Sequence, residues 1–292
     1  MDLDALRVFV KVAELASFTR AAEQLGMPKA RASARVLALE AELGVRLLQR
    51  TTRTVRTTAD GEQLLPRARR LVAEAEDVAS MFTGGQLRGR VRVDLPHQLA
   101  CDAVIPRLPE LLAAHPQLEM FISTTDRRVE VVREGFDCVL SVGQLSASGL
   151  VAQRLGQLST VNCASPAYLR RYGTPRSLAD LDRHLIVNYG AAPPTFEYRD
   201  GAGYAERPMR AAVTVNSTDA YRAACLAGIG IIQAPRVGLR ALIEDGALIE
   251  VLPDLPSAPM PVSLVHPHGR SVPRRVRAVM QWIAGAIAPR LG

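Results

Sequence analysis

The side chains best placed to do chemistry in this 292-residue sequence sit near the start of one segment, Pro28 to Glu40. They are Lys29, Arg31, Ser33 and Arg35. Between Met27 and Arg56 there are seven cations (Lys29, Arg31, Arg35, Arg46, Arg50, Arg53, Arg56) and two acids (Glu40, Glu42), a local excess of +5. Guanidinium, ammonium and hydroxyl groups donate hydrogen bonds, so this set suits phosphate oxygens and base edges. The candidates for bond-breaking chemistry are weaker. Five histidines, among them His266 and His268, form no constellation with carboxylates. Cys101, Cys138, Cys163 and Cys225 are far apart with no C-x-x-C, so no zinc site is expected. "GIGIIQ" at Gly228–Gln233 opens like a dinucleotide fingerprint, but Gln233 stands where the third glycine belongs and the segment begins a strand. There is no P-loop and no G-x-S-x-G.

The elements that position the cations are legible from spacing. Leu3, Leu6, Val10 and Ala13 predict a first helix. Ser17 or Thr19 caps a second, which Gly26 ends. Pro28 opens a third, a place where its missing N–H is harmless. Ala32, Val36, Leu39 and Leu43 fall on one stripe of it and are expected to pack on the first two. Ala30 and Ala34 then lie opposite the stripe, flanked by Arg31 and Ser33. Small residues let the backbone approach a surface closely, which is the helix-turn-helix design for the DNA major groove. "VRLLQRTTRTVRTTADG" reads as a hairpin wing whose Arg50, Arg53 and Arg56 meet phosphates.

The stretch from Met1 to Leu65, with "SFTRAAEQL", "LEAELGVRLLQRT" and "TTADG", resembles the N-terminal domain of LysR-type transcriptional regulators. The resemblance implies a winged helix-turn-helix at 1–58 and a linker helix with hinge at 59–87. It implies an effector-binding domain at 88–292 made of two Rossmann-like α/β subdomains of periplasmic-binding-protein type. Subdomain I is expected at about 88–162 and 266–292, subdomain II at about 163–265, with crossings near Ser159–Pro166 and Pro259–Pro267. The family often has Arg where this chain has Ala34, and Gln-Pro or Gln-Ser in place of Lys29-Ala30. Lys29, Arg31 and Ser33 are therefore the expected base-reading residues. Thr19, Ala30, Ala34 and Arg35 are expected on the same DNA-facing surface, with Arg50, Arg53 and Arg56 on the wing.

From Leu64 the apolar residues run Ala68, Leu71, Ala75, Val78, Phe82 in steps of 4, 3, 4, 3 and 4. That 3.5-residue repeat predicts a seam between two copies of the helix, hence a homodimer. The resemblance adds a homotetramer. Gly84-Gly85 and Gly89 read as the hinge. After Arg88, strands and helices alternate, so the fold class is α/β with a mainly parallel sheet. Helices are expected at Gln98–Ala114, Asp126–Glu134, Asp219–Ala227 and Pro273–Ala288.

Where strands give way to helices lie the candidate effector ligands His97, Gln98, Thr124, Thr125, Gly143, Gln144, Asn216, Ser217 and Thr218. The family often has Arg where this chain has Ser141, so a fixed cationic anchor is absent. A small polar or carboxylated organic effector held by hydrogen bonds is expected, with no cofactor, metal or covalent chemistry.

The net charge of +7 and pI near 9.7 agree with an anionic partner. The start of the chain lacks a basic n-region, and its longest apolar run, Ala223–Ile232, is roughly half of the ~20 residues a spanning helix needs. A cytoplasmic protein with no membrane partner is expected. Two other readings stand beside the regulator: a small-molecule enzyme or binding protein with an accessory helical domain, and redox sensing through Cys101.

Overall fold

The computed structural model describes residues 2–50, 55–80, 86–145, 149–268 and 272–291. Three helices come first: α1 (Leu3–Leu15), α2 (Phe18–Gln24) and α3 (Lys29–Leu43). Of the two candidate caps for α2, Ser17 is the one used. Its hydroxyl accepts the Arg20 amide at 3.3 Å, while Thr19 lies inside the helix. Gly26 takes the left-handed backbone that closes α2, and the helix after Pro28 begins as expected. Leu6, Phe9, Phe18, Ala21, Ala32, Val36 and Leu39 make a common core.

The stripe on α3 is corrected at its last position. Leu43 is 39% exposed, and the polar residue Glu40 is buried in its stead. The cause is the next strand, β1 (Leu48–Arg50), which pairs antiparallel with β2 (Val55–Thr57). The Glu40 carboxylate accepts the amides of Leu47 and Leu48 at 2.8 and 3.0 Å, donors that would otherwise be buried without a partner.

Helix α4 (Ala59–Ser80) holds Pro66 internally. Thr58 precedes it, its hydroxyl accepting the Gly61 amide at 3.1 Å. Gly61 is required, because a Cβ there would sit 2.1 Å from the Leu47 carbonyl oxygen. The expected seam is only partly free. Leu65, Ala68 and Val72 bury against the core of α1–α3, with Leu64 packed beside them. Leu71 and Val78 face outward, 42% and 59% exposed, and Ala75 is half-buried. Phe82, Gly84 and Gly85 lie outside the described residues, and Gly89 is inside a strand rather than at a hinge. A 3.5-residue repeat drifts only ~20° per heptad from an ordinary helical face, so over three turns the spacing does not distinguish a partner helix from the chain's own core.

The remainder is built in two α/β units. The first contains β3 (Arg88–Leu95), α5 (His97–Leu99), α6 (Leu108–Ala114), β4 (Gln117–Thr124), α7 (Val131–Glu134), β5 (Cys138–Val142) and β6 (Val151–Leu158). The second contains β7 (Thr160–Ala164), α8 (Pro166–Tyr172), β8 (Leu185–Tyr189), β9 (Thr195–Asp200), β10 (Gly203–Pro208), β11 (Arg210–Val215), α9 (Thr218–Leu226), β12 (Ile232–Pro235), α10 (Arg236–Glu244) and β13 (Ile249–Glu250). The chain then returns to the first unit as β14 (Met260–His266) and α11 (Arg274–Ile287).

The first sheet runs β4-β3-β5-β14-β6, with β3 parallel to β4 and β5, and β14 antiparallel to both its neighbours. In the second unit β12-β7-β13 is antiparallel and β11-β8 parallel, joined by a bridge between Ile186 and Ile231. The crossings fall at Ser159 and before Met260. Residues 160–162 therefore belong to the second unit and 260–265 to the first, a correction to the expected limits at 162/163 and 265/266. Strand β14 completes the first sheet, and α11 packs Val276, Val279, Ile283 and Ile287 onto it.

Two expected helices are shorter. Gln98–Ala114 breaks into α5, a π turn, a 3₁₀ turn through Pro106, and α6, since an interior proline removes a helical hydrogen bond. Asp126–Glu134 keeps only its last turn. Glu134 accepts the Glu130 amide at 2.9 Å, and the Asp126 carboxylate is drawn elsewhere. "GIGIIQ" serves packing: a Cβ on Gly230 would meet the β8 backbone at 2.8 to 3.0 Å. The hairpin β9–β10 is not foreseen from the sequence.

Candidate nucleic-acid interface and effector cleft

With Ala32, Val36 and Leu39 buried, α3 turns Lys29, Ala30, Arg31 and Ala34 to solvent, and Ser33 is half-buried beside them. Thr19 is exposed in the first turn of α2. Arg35 departs from expectation. Its guanidinium is paired with Asp2 and Asp4 at the start of α1, so it ties two helices together. Exposed Arg56 sits on β2 opposite Gln49. Arg53 and the side chain of Arg50 lie outside the described residues. The face of α3 is thus small at its centre and cationic at its N-terminal end, as a major-groove reader requires.

Between the two α/β units lies a cleft of about 590 Å³, within the usual size range of small-molecule sites. Of the expected effector ligands, Gln98, Thr125, Gln144 and Thr218 line it. His97, Thr124, Gly143, Asn216 and Ser217 do not. His97 lies just outside, with Nε2 3.3 Å from Asp219 Oδ2. The Gly143 amide is spent on the Pro261 carbonyl at 2.8 Å, and the Ser217 hydroxyl caps α9 by accepting the Ala220 amide at 3.3 Å.

The cleft also holds groups that strand ends do not reveal: Asp94, Asp126, Ser141, Tyr189, Tyr221 and Gln233. Asp94 accepts from the Thr125 hydroxyl at 3.1 and 3.3 Å, and burial pushes its carboxyl above the usual range. Its signal was present in "VRVDL", where alternation puts one acid on the face opposite Val93 and Leu95. The Asp126 carboxylate reaches across the cleft. It accepts the Thr218 amide and hydroxyl at 2.7 and 2.8 Å, and the His97 amide at 3.3 Å. Gln98 crosses too, donating to the Gly238 carbonyl at 3.1 Å. The Tyr189 and Tyr221 rings meet edge to face, 5.3 Å apart. Burial pushes the Tyr221 hydroxyl up to about 12, and its oxygen accepts the Gln233 amide at 3.1 Å.

The thiols of Cys138, Cys163 and Cys225 are buried, which raises them all, the last two to about 12. They stay protonated, unlike a reactive thiolate. Cys101 is exposed.

Residues 3–62 match the model of the bacterial regulatory helix-turn-helix protein, lysR family, and residues 84–288 match the LysR substrate binding domain. The chain belongs to the LysR family of transcriptional regulators. It is 42% identical over 291 residues to the HTH-type transcriptional regulator YhjC of Escherichia coli K12, covering 98% of this chain and 97% of that one. It is 32% identical over 284 residues to the HTH-type transcriptional activator AaeR of the same strain, covering 95% and 91%. Among solved structures it resembles CrgA of Neisseria meningitidis, at 28% identity and TM-score 0.61, covering 98% of each chain. It also resembles the full-length virulence activator AphB of Vibrio cholerae, at 27% identity and TM-score 0.57, covering 98% and 99%. These relatives are transcriptional regulators, and the redox reading is not favoured. No helix among the described residues is long and apolar enough to cross a membrane.

Proposed function

We propose that this chain binds operator DNA as a symmetric homodimer, within a homotetramer, and that a small organic molecule in the cleft between its two α/β units switches it. It works in the cytoplasm as a regulator and not as an enzyme. Lys29, Arg31 and Ser33 read base edges, with Ala30 and Ala34 allowing close approach and Thr19, Arg50, Arg53 and Arg56 holding phosphates. Leu71, Ala75, Val78 and Phe82 supply the seam between copies. Gln98, Thr125, Gln144 and Thr218 face the effector.

The carrying observation is the outward face of α3, where Lys29, Ala30, Arg31 and Ala34 are all exposed on a helix pinned by its opposite side. A gel-shift at moderate salt with the DNA upstream of the chain's own gene is the test. The intact protein is expected to retard it over a large excess of random DNA. Retardation that random DNA abolishes equally would rule out sequence-specific binding.

A further inference from the structure

The cleft presents few places for an anion, because its natural anion sites are occupied by the protein itself. The N-terminus of α9 is the site where a carboxylate would ordinarily settle. Its Thr218 amide and hydroxyl already hold the Asp126 carboxylate at 2.7 and 2.8 Å, and its Ala220 amide holds the Ser217 hydroxyl. The arginines that border the cleft stand at its rim and are engaged. Arg127 gives two nitrogens to Glu134 at 2.9 and 2.5 Å, and Arg222 pairs with Asp219 at 3.0 Å. Arg128 donates to the Gln144 carbonyl at 3.1 Å, and Arg290 to the Asp102 carbonyl.

In contrast, Asp94 lies within the cleft wall and is 3% exposed. Its carboxylate receives hydroxyls from Thr125 and Ser123. Among the described residues no lysine or arginine forms an ion pair with it. A carboxylate has about four lone-pair sites, so two hydroxyl donors leave capacity for more. The Arg127 guanidinium favours the charge from a distance, but it is bonded to Glu134, whose own charge opposes that effect. A buried carboxylate with no directly paired cation is unfavourable, and a ligand cation would offset that cost. Elsewhere the cleft wall carries apolar and aromatic residues, among them Leu140, Val142, Met260, Tyr189 and Tyr221, beside its charged rim. Aromatic faces also attract cations.

We infer that the effector presents a cationic nitrogen, a protonated amine or amidine on an apolar body, to Asp94. Of the small polar or carboxylated effectors expected from the sequence, this selects a polar, cationic one. This rests on the reading of the cleft as the effector site. The full-length chain is titrated by calorimetry with skeleton-matched probes, hexylamine against hexanoate and benzylamine against benzoate.

The amines are expected to bind, the acids not, and Asp94→Asn to weaken the amines at least tenfold. In the unaltered chain, amine affinity is expected to fall as pH drops from 7 to 4, as Asp94 takes up a proton. The neutral analogue benzyl alcohol is expected to show no such slope, a readout that does not depend on how the variant folds. Amine affinity unchanged in Asp94→Asn, a flat pH profile, or no amine binding at all overturns the inference. Ser141→Phe, which fills the chamber, separates the two readings. Acids that bind and are excluded by Ser141→Phe leave the cleft as the effector site and refute only the cation. Probe binding that survives Ser141→Phe refutes both.

Discussion

Glu40 shows how much one side chain decides in the DNA-binding domain. Its buried carboxylate is the acceptor for two consecutive amides, Leu47 and Leu48, and so fixes where the wing leaves α3. Glu40→Ala strands both donors. The expected cost is about 1–3 kcal/mol for each group left buried and unpaired, read as a lower urea midpoint. An unchanged midpoint would mean water replaces the carboxylate. Arg31 and Arg56 are expected to act differently on DNA. Arg31→Ala should cost roughly 1–3 kcal/mol and relax preference at one base pair. Arg56→Ala should weaken all sequences alike and flatten the salt dependence by about one unit of slope. If Arg31→Ala binds operator and random DNA in an unchanged ratio, Arg31 does not read bases.

At the scale of elements, α4 serves two masters. Its Leu65, Ala68 and Val72 complete the core of its own domain, while Leu71 and Val78 are left exposed on another face. A pair of such helices would bury Leu71 against its counterpart, as apolar seam residues require. Leu71→Asp puts a charge there without touching the internal core, so light scattering should show half the particle mass with the far-ultraviolet spectrum unchanged. Full particle mass would place the dimer contact on another element.

For the molecule as a whole, the join between DNA-reading and effector-binding parts is polar. The Glu14 carboxylate on α1 meets Arg69 of α4 at 3.2 Å and Arg90 of β3 at 3.5 Å, so one acid links three elements. Arg275 of α11 donates to the Ala73 carbonyl of α4 at 2.9 Å. Nearby, His268 is enclosed, its Nε2 3.2 Å from the Asp137 carbonyl. Burial first, then Arg70 and His266, lowers His268 from 6.5 to about 4. The unfolded chain therefore takes this proton before the folded one as pH falls. Stability present above pH 6.5 is lost between 6.5 and about 4, by roughly 3 kcal/mol. Buried Asp137, raised by burial, works in the opposite sense. His268→Gln isolates the histidine: its unfolding free energy should fall less over this window. Identical pH profiles would show that His268 does not titrate there.

Local spacing was enough to determine helices α1 to α3, the closing turn at Gly26, the α/β alternation and the family resemblance, while it left Ser17 and Thr19 both open as the cap of α2. Each is set by groups within a few residues of one another, where chain geometry leaves little choice. Tertiary structure alone decided which face of α4 is covered, that Glu40 rather than Leu43 is buried, and that Arg35 pairs with Asp2 and Asp4. It also decided that Asp126 fills the start of α9, ninety-two residues away, while Asp94 looks into the cleft. A charged side chain takes its partner from whatever the closed fold brings near, and the periodicity of its own segment carries no record of that partner.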